Sequence, residues 1–284
     1  MRLLKTIAVL ALALLATGPP AAHAAPKRIV ALTPFSANTL AGLGVEPVAV
    51  GETLAGKERF ASNLRGVDTL TLSHPNGPNM EELALLDPQL VLSSPTWKKG
   101  AKTMRDLDMR VVEADPVDVA DAVAQTTKIG RLVGRAASAE KLAARLRRQV
   151  ASARRGIRKR PRTLLVLGVG RTPFAMLPNS WGGDVLRKAG ARLVTGGVTS
   201  KSGFARISDE TILAADPDVI VAIPHADSDD IPAVTKFLRG NPAWRDSKAV
   251  RDDRLFVSAD NSLLQANTDV ADVIRKVRRA YLGN

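Results

Sequence analysis

Cysteine is absent from all 284 residues, so the chain has neither disulfides nor a cysteine to carry a lipid. Aromatic side chains are few, at 4%, and the single tyrosine, Tyr281, falls in the last helical stretch. Histidine is equally scarce: His23, His74 and His225 are the whole supply. No G-x-S-x-G elbow occurs and no Ser/His/Asp order stands out, which argues against a hydrolase. Gly168-Val-Gly170 follows a predicted strand, yet the next helix start, Asn179-Ser180, lies too far on for a phosphate-binding turn. Beyond residue 24 no apolar run approaches the length needed to span a bilayer.

The first residues are the exception. Arg2 and Lys5 precede an apolar run from Ile7 to Ala16, and Ala22-His23-Ala24 is a small-x-small cleavage site. This pattern reads as a secretory signal peptide, residues 1–24, cleaved after about Ala24. A free, monomeric protein of the periplasm is expected. The net charge of +13 is concentrated: Lys128 to Arg162 holds thirteen Lys/Arg against Glu140 alone, and the rest of the mature chain sums to −1. The basicity therefore does not describe a cationic cleft, and no nucleic-acid partner is expected. As a helix face the segment reads as solvated surface, with anionic lipid headgroups the alternative.

What is present is strand and helix in alternation. Arg28–Pro34 and Thr163–Gly168 read as buried first strands of two halves, and short helices follow each strand. Residues 25–116 are expected to form an amino-terminal α/β lobe, 117–160 a connecting helical segment and 161–284 a carboxyl-terminal α/β lobe. The connecting segment is expected to break near Gly134, with Ser138 as a new N-cap, and to bury Leu142, Leu146, Val150, Ala153 and Ile157 on one face. The fold class is α/β: two Rossmann-like lobes with mostly parallel sheets, joined by one long interdomain helix.

One pattern is written twice at a constant offset. Asn79 matches Ser208 as helix N-cap, Glu81 matches Glu210, and Asp87-Pro88 matches Asp216-Pro217. Leu90–Leu92 then match the buried run Val219–Val221, and Pro95 matches Pro224. Proline ends each short helix, and the β-branched or aliphatic run after it suits a strand covered on both faces. His225 lies just past the carboxyl end of the second such strand, the end at which open α/β sheets bind ligands.

RIVALTP, PNMEELALLDPQLVLSS, SWGGDVLRKAGARLV and ISDETILAADPDVIVAI, in that order, resemble the periplasmic binding proteins that serve ABC importers for ferric siderophores, haem and cobalamin. The resemblance covers residues 27 to 282 and is strongest toward the haem-receptor lipoproteins of iron-regulated surface determinant systems. It implies a transport component and not an enzyme, a ligand held between the lobes, and partners in an ABC permease and its ATPase. Acids on each lobe meet permease arginines in that family; those positions fall on Glu81 and Glu210. The family's carboxyl-lobe haem ligand is a histidine, matching His225. Its amino-lobe ligand is a methionine, whose slot here holds Asn76, flanked by His74 and Met80. Haem is the expected cargo, with a ferric siderophore and then cobalamin as alternatives; no prosthetic group is expected.

The residue chemistry is compatible with each of these. Imidazole suits haem iron, and His74 and His225 are one per lobe; each alone is also an ordinary polar loop residue. Met80, at a helix start, reads first as core packing. Trp97, Phe174, Trp181 and Phe204 offer apolar walls or simply core. Arg171, Lys98 and Lys99 can meet carboxylates from strand-end loops. The acids Glu81 and Glu210 also suit a helix N-terminus with no partner at all. His225-Ala-Asp-Ser-Asp-Asp230 is a poor bare-metal site. The rival from another class is a metallochelatase-like enzyme with a cleft histidine, against which the signal peptide argues.

Overall fold

The structure, a computed structural model, describes residues 25–53, 58–168, 173–224, 231–258 and 261–283. The signal-peptide segment, Arg171 and His225 lie outside them. In the first half, Ile29–Ala31 (β1), Ala49–Thr53 (β2), Asp68–Leu72 (β3), Leu90–Ser93 (β4) and Val111–Glu113 (β5) form a wholly parallel sheet in the order β3-β2-β1-β4-β5. Its helices are Pro34–Gly42 (α1), Met80–Leu85 (α2) and Lys98–Asp106 (α3). Val119–Leu132 (α4) and Ala136–Ala153 (α5) follow.

The second half contains Arg162–Leu167 (β6), Phe174–Met176 (β7), Trp181–Ala189 (α6), Arg192–Leu193 (β8), Phe204–Arg206 (β9), Asp209–Ala215 (α7) and Val219–Ile223 (β10). Ile231–Gly240 (α8), Pro242–Arg245 (α9), Lys248–Arg251 (α10), Leu255–Val257 (β11) and Val270–Val277 (α11) complete it. The sheet order is β11-β10-β6-β7-β9, with β8 beside β6. Here β7 and β9 run antiparallel, so the second sheet is mixed where the first is not.

The repeated pattern folds twice into one device. Asn79 caps α2 by accepting the Glu81 and Glu82 amides, and Ser208 caps α7 by accepting that of Thr211. Each helix is followed by an aspartate in the left-handed region, Asp87 at φ 43° and Asp216 at φ 33°, a conformation Asp tolerates better than most residues. The buried strand then pairs in parallel with the first strand of its half: Val91 opposite Val30, Ile220 opposite Leu164. Even the foot of the sheet is duplicated. Gln89 accepts the Lys27 amide at 2.7 Å, and Asp218 accepts that of Arg162 at 2.8 Å. Arg28 donates to the Asp87 carbonyl, and Arg162 to that of Ala215.

One sequence expectation about helix boundaries is corrected. The helix after the break starts at Ala136 with Arg135, not Ser138, in the cap position, because Arg135 already accepts the Ala139 amide through its carbonyl. Gly134, at φ 68°, makes the turn, and α4 and α5 pack closely, a Cβ on Gly130 being 2.1 Å from that of Ala139. The second strand begins at Ala49. The edge strand β3 has only Leu70 and Leu72 buried, so its Asp-Thr-Leu-Thr-Leu text lacks the apolar run that marks its neighbours.

Strand alternation sorts side chains into three cores. Val30, Leu32 and Val91 face outward under α2 and α3, and Leu164, Ile220 and Ala222 face outward in the second lobe. Ile29, Ala31, Leu90 and Leu92 join Leu165, Val219, Val221 and Ile223 in one cluster, with Ile129, Leu146, Val150, Val185 and Ile274 from α4, α5, α6 and α11. The inner faces of the two sheets thus belong to a single core running through the connecting helices. The apolar face expected for the connecting segment holds for Leu146, Val150 and Ala153, while Leu142 is half-buried and Ile157 lies past the end of α5.

Candidate functional site

The carboxyl ends of the strands place the candidate site between the lobes. Its described floor is an open depression lined by Pro34, Arg59, Asn261, Ser262, Gln265 and Asn267. Pro34 follows β1 and opens α1; Asn261–Asn267 follows β11, so both sheets contribute. The floor is a bonded seam. Asn38 Nδ2, on α1, donates to Asn267 Oδ1 at 2.6 Å and to the Arg59 carbonyl at 2.7 Å, while its oxygen accepts the Ala61 amide at 2.7 Å. Arg59 grips Asp269 at 2.6 and 3.2 Å, and Gln265 donates to Glu58 Oε1 at 2.9 Å. Burial pushes the Asp269 carboxyl above its ordinary value, with Arg59 pulling the other way.

In the first lobe His74 stands beside Trp97, which belongs to the outer core. His74, past the end of β3, is exposed and meets the Trp97 ring edge-on at 6.2 Å between centroids. The loop is tied by Ser73, whose carbonyl accepts the Asn76 and Gly77 amides. Its backbone lies so close to α3 that a Cβ on Gly100 would fall 1.7 Å from the Asn76 carbonyl oxygen. Trp97 is buried, and its Nε1 has no hydrogen-bond partner among the described residues. Lys98 and Lys99 are exposed beside it. At the end of β5 stands Asp115, half-buried; burial pushes its carboxyl up to about 7, while the Ser94 hydroxyl pulls it down and Asp121 adds to the rise.

In the second lobe Phe174 pairs with Leu167 at the carboxyl end of β6 and is 38% exposed. The Arg206 guanidinium lies over its ring at 5.8 Å. Phe204 sits two residues further along the hairpin, opposite Met176, half-buried against the shared core. Trp181 is core, its Nε1 donating to the Ser262 carbonyl at 3.1 Å. Met80, the first residue of α2, is half-buried against the outer core of the first lobe. It is therefore engaged in packing, on a different element from His74. Glu81 and Glu210 are both exposed in the first turns of α2 and α7. The Ser208 hydroxyl and the backbone hold the Glu210 carboxyl below the usual range.

The structure therefore sets His74 against Trp97, with exposed Lys98 and Lys99 next along the chain, and Arg206 over Phe174 in the second lobe. Sequence reading had missed Asn38, Asn267, Gln265 and Asp115. Asn38 and Asn267 are 229 positions apart, and neither belongs to a local motif. Asp115 carried one usable signal: it lies two residues past a strand and immediately before Pro116 at the start of the crossover. No group of three or more His, Cys, Asp or Glu able to hold a metal ion occurs among the described residues, and no described helix is long and apolar enough to cross a membrane.

Comparison with known proteins fits this geometry. The family model described as periplasmic binding protein matches residues 29–261. A cobalamin-binding protein of Halobacterium salinarum is 31% identical over 262 residues, covering 90% of this chain and 69% of that one. The high-affinity heme uptake system protein IsdE of Staphylococcus aureus is 24% identical over 194 residues, covering 66% of each chain. The solved structure of an ABC transporter substrate-binding protein from Listeria monocytogenes superposes with a TM-score of 0.80 at 20% identity, covering 92% of this chain and all of that one. The haem-receptor resemblance is thus a partial one, exceeded in extent by the cobalamin-binding relative. Two α/β lobes, a cleft at their strand ends and these matches together make the chain a member of the periplasmic binding protein family, the non-enzymatic substrate-binding components of ABC importers.

Proposed function

We propose that the protein captures a corrinoid such as cobalamin between its lobes and hands it to a membrane permease. The floor of the cleft carries this reading. Asn261, Ser262, Gln265 and Asn267 make the floor polar and neutral, with Asn267 bonded into the seam and Gln265 Nε2 held by Glu58, and the floor's one described cation, Arg59, is committed to Asp269. Such a surface complements a macrocycle rimmed with neutral amides better than one bearing carboxylates, which would call for free guanidinium or ammonium groups. The extent of the match to the Halobacterium protein supports the same choice. Phe174, 38% exposed in the second lobe, supplies apolar surface, whereas Trp97 is packed in the outer core of the first lobe.

Haem is the second reading, supported by His74 at the amino-lobe rim and by the exposed Lys98 and Lys99. Within it, His225 is the proposed axial ligand, His74 the second, and Arg171 a partner for a propionate. A ferric siderophore ranks third. In every case Glu81 and Glu210 are the proposed contacts to the permease, one on each lobe.

Titration with cyanocobalamin, haemin and a ferric hydroxamate, followed by tryptophan fluorescence, tests the ligand. Saturable submicromolar binding of the corrinoid alone is expected. A Soret shift that His225→Ala or His74→Ala abolishes, with no corrinoid binding, overturns it in favour of haem. For docking, a Glu81→Ala/Glu210→Ala double variant is expected to keep ligand affinity and the folding midpoint while losing ligand-stimulated ATPase activity of the reconstituted importer.

A further inference from the structure

The excess charge of the chain is carried by one surface. On α5 the buried side chains are Ala139, Ala143, Leu146, Val150 and Ala153. Lys141, Arg145 and Arg148, at i, i+4 and i+7, fall on the opposite side of the helix and are exposed, while Arg147 and Arg154 are exposed at one margin of the buried stripe. The turn beyond the helix adds exposed Arg158, Lys159 and Arg160. Lys141, Arg145, Arg147, Arg148, Arg154 and Arg160 form no ion pair among the described residues. The one acid on the helix, Glu140, faces Arg131 at 3.9 Å. Such a row repels itself, and the fold gains nothing from it that alanine and glutamine would not give.

Its place relative to the cleft is set by topology. Residues 154–161 lead into the amino end of β6, whereas the cleft lies beyond its carboxyl end at Leu167. The row therefore has no part in holding the ligand and stays accessible while the cleft is occupied. It also carries no aromatic residue from Ala136 to Arg162, so it lacks the stacking platforms with which single-stranded nucleic acids are held.

We propose that this face binds the surface of an anionic phospholipid bilayer, keeping the protein near the membrane in which its permease sits. Charge complementarity argues for that partner: a flat field of phosphate headgroups suits a row of point charges without specific geometry, and each basic residue near such a surface adds to the attraction. The absence of bulky apolar side chains on the exposed face makes the contact superficial and salt-sensitive, not inserted.

The test uses the mature protein and vesicles of phosphatidylcholine with or without phosphatidylglycerol. Co-sedimentation with the anionic vesicles at 50 mM salt, lost at 500 mM and absent with neutral vesicles, is expected. A Lys141→Gln/Arg145→Gln/Arg148→Gln variant should bind about tenfold or more weakly, with unchanged circular dichroism and unchanged cargo affinity. Equal binding to neutral vesicles, or full binding by the variant, overturns the proposal. So does retention on heparin without any vesicle binding, which would assign the face to a polyanion instead. Should the triple variant misfold, Arg147→Gln/Arg154→Gln, which alters only exposed positions, gives the same readout at smaller amplitude.

Discussion

The two copies of the duplicated device share a backbone and differ in what hangs from it. Around α2 and α7 the caps, the left-handed aspartates and the parallel pairing of β4 and β10 with a first strand recur position for position. The surroundings do not. Gln89 meets the Lys27 amide with a neutral amide oxygen, whereas its counterpart Asp218 is fixed by Lys248 at 2.7 Å and by the Arg162 amide, and these partners hold its carboxyl below the usual range. At the ligand end, β4 runs into buried Ser93 and Ser94 and a 3₁₀ turn ending at Trp97; its twin ends at Ile223-Pro224. Duplication has preserved what folds each lobe and left the chemistry at the strand ends free to diverge.

Equivalent substitutions on the two strands measure how equal the copies are. Ile220→Ala empties a fully buried site in β10 and should cost about 3–4 kcal/mol, against about 2 kcal/mol for Val91→Ala at the matching position, read by urea denaturation. Where the halves meet, Asn38→Ala leaves the Ala61 amide, the Arg59 carbonyl and Asn267 short of partners and should cost about 2–3 kcal/mol. If the lobes were independent, that loss would split the unfolding curve into two transitions; with a common core a single transition moves to lower denaturant.

A titratable difference separates the lobes as well. Among the described residues Asp115 has no cation to offset its burial, whereas Asp269, the raised acid of the second lobe, is pulled back by Arg59. The folded pKa of Asp115, about 7, exceeds the ordinary 3.8, so the native state holds an extra proton between these values. Stability from this group is therefore highest below about pH 4, falls as pH rises toward 7 and is flat above it. Asp115→Asn should abolish that slope and be more stable at pH 8 by about 1–2 kcal/mol, allowing for its partial exposure. The smallest effect concerns the turns. Asp216→Ala should cost about 1 kcal/mol through its left-handed backbone and the lost bond to the Lys248 amide, and Asp87→Ala somewhat less. Equal losses would mean that backbone conformation alone matters there.

The sequence made the device legible because all of it is local: a cap, two acids, Asp-Pro and an aliphatic run lie within sixteen residues. The break at Gly134 and the fold class were readable for the same reason. The edge strand β3 and the hairpin of β7 and β9 escaped notice because half-exposed or three-residue strands leave no run to see. The floor of the cleft was invisible for a different reason. Asn38, Arg59 and Asn267 become neighbours only once both sheets are built, and nothing nearby in the chain marks them. The histidines drew attention by rarity, but rarity does not say what a side chain touches: His74 proves to stand against Trp97.

The core common to both inner sheet faces has a consequence for selection. Walls mounted on one packed interior keep a set spacing, because separating them would open voids along the whole of α4, α5 and α11. A cleft mounted in this way would act as a gauge of thickness: a slimmer guest would touch one wall and leave the other wet, and a bulkier one would be refused at the mouth. Discrimination of this kind costs no conformational closure when the right guest arrives.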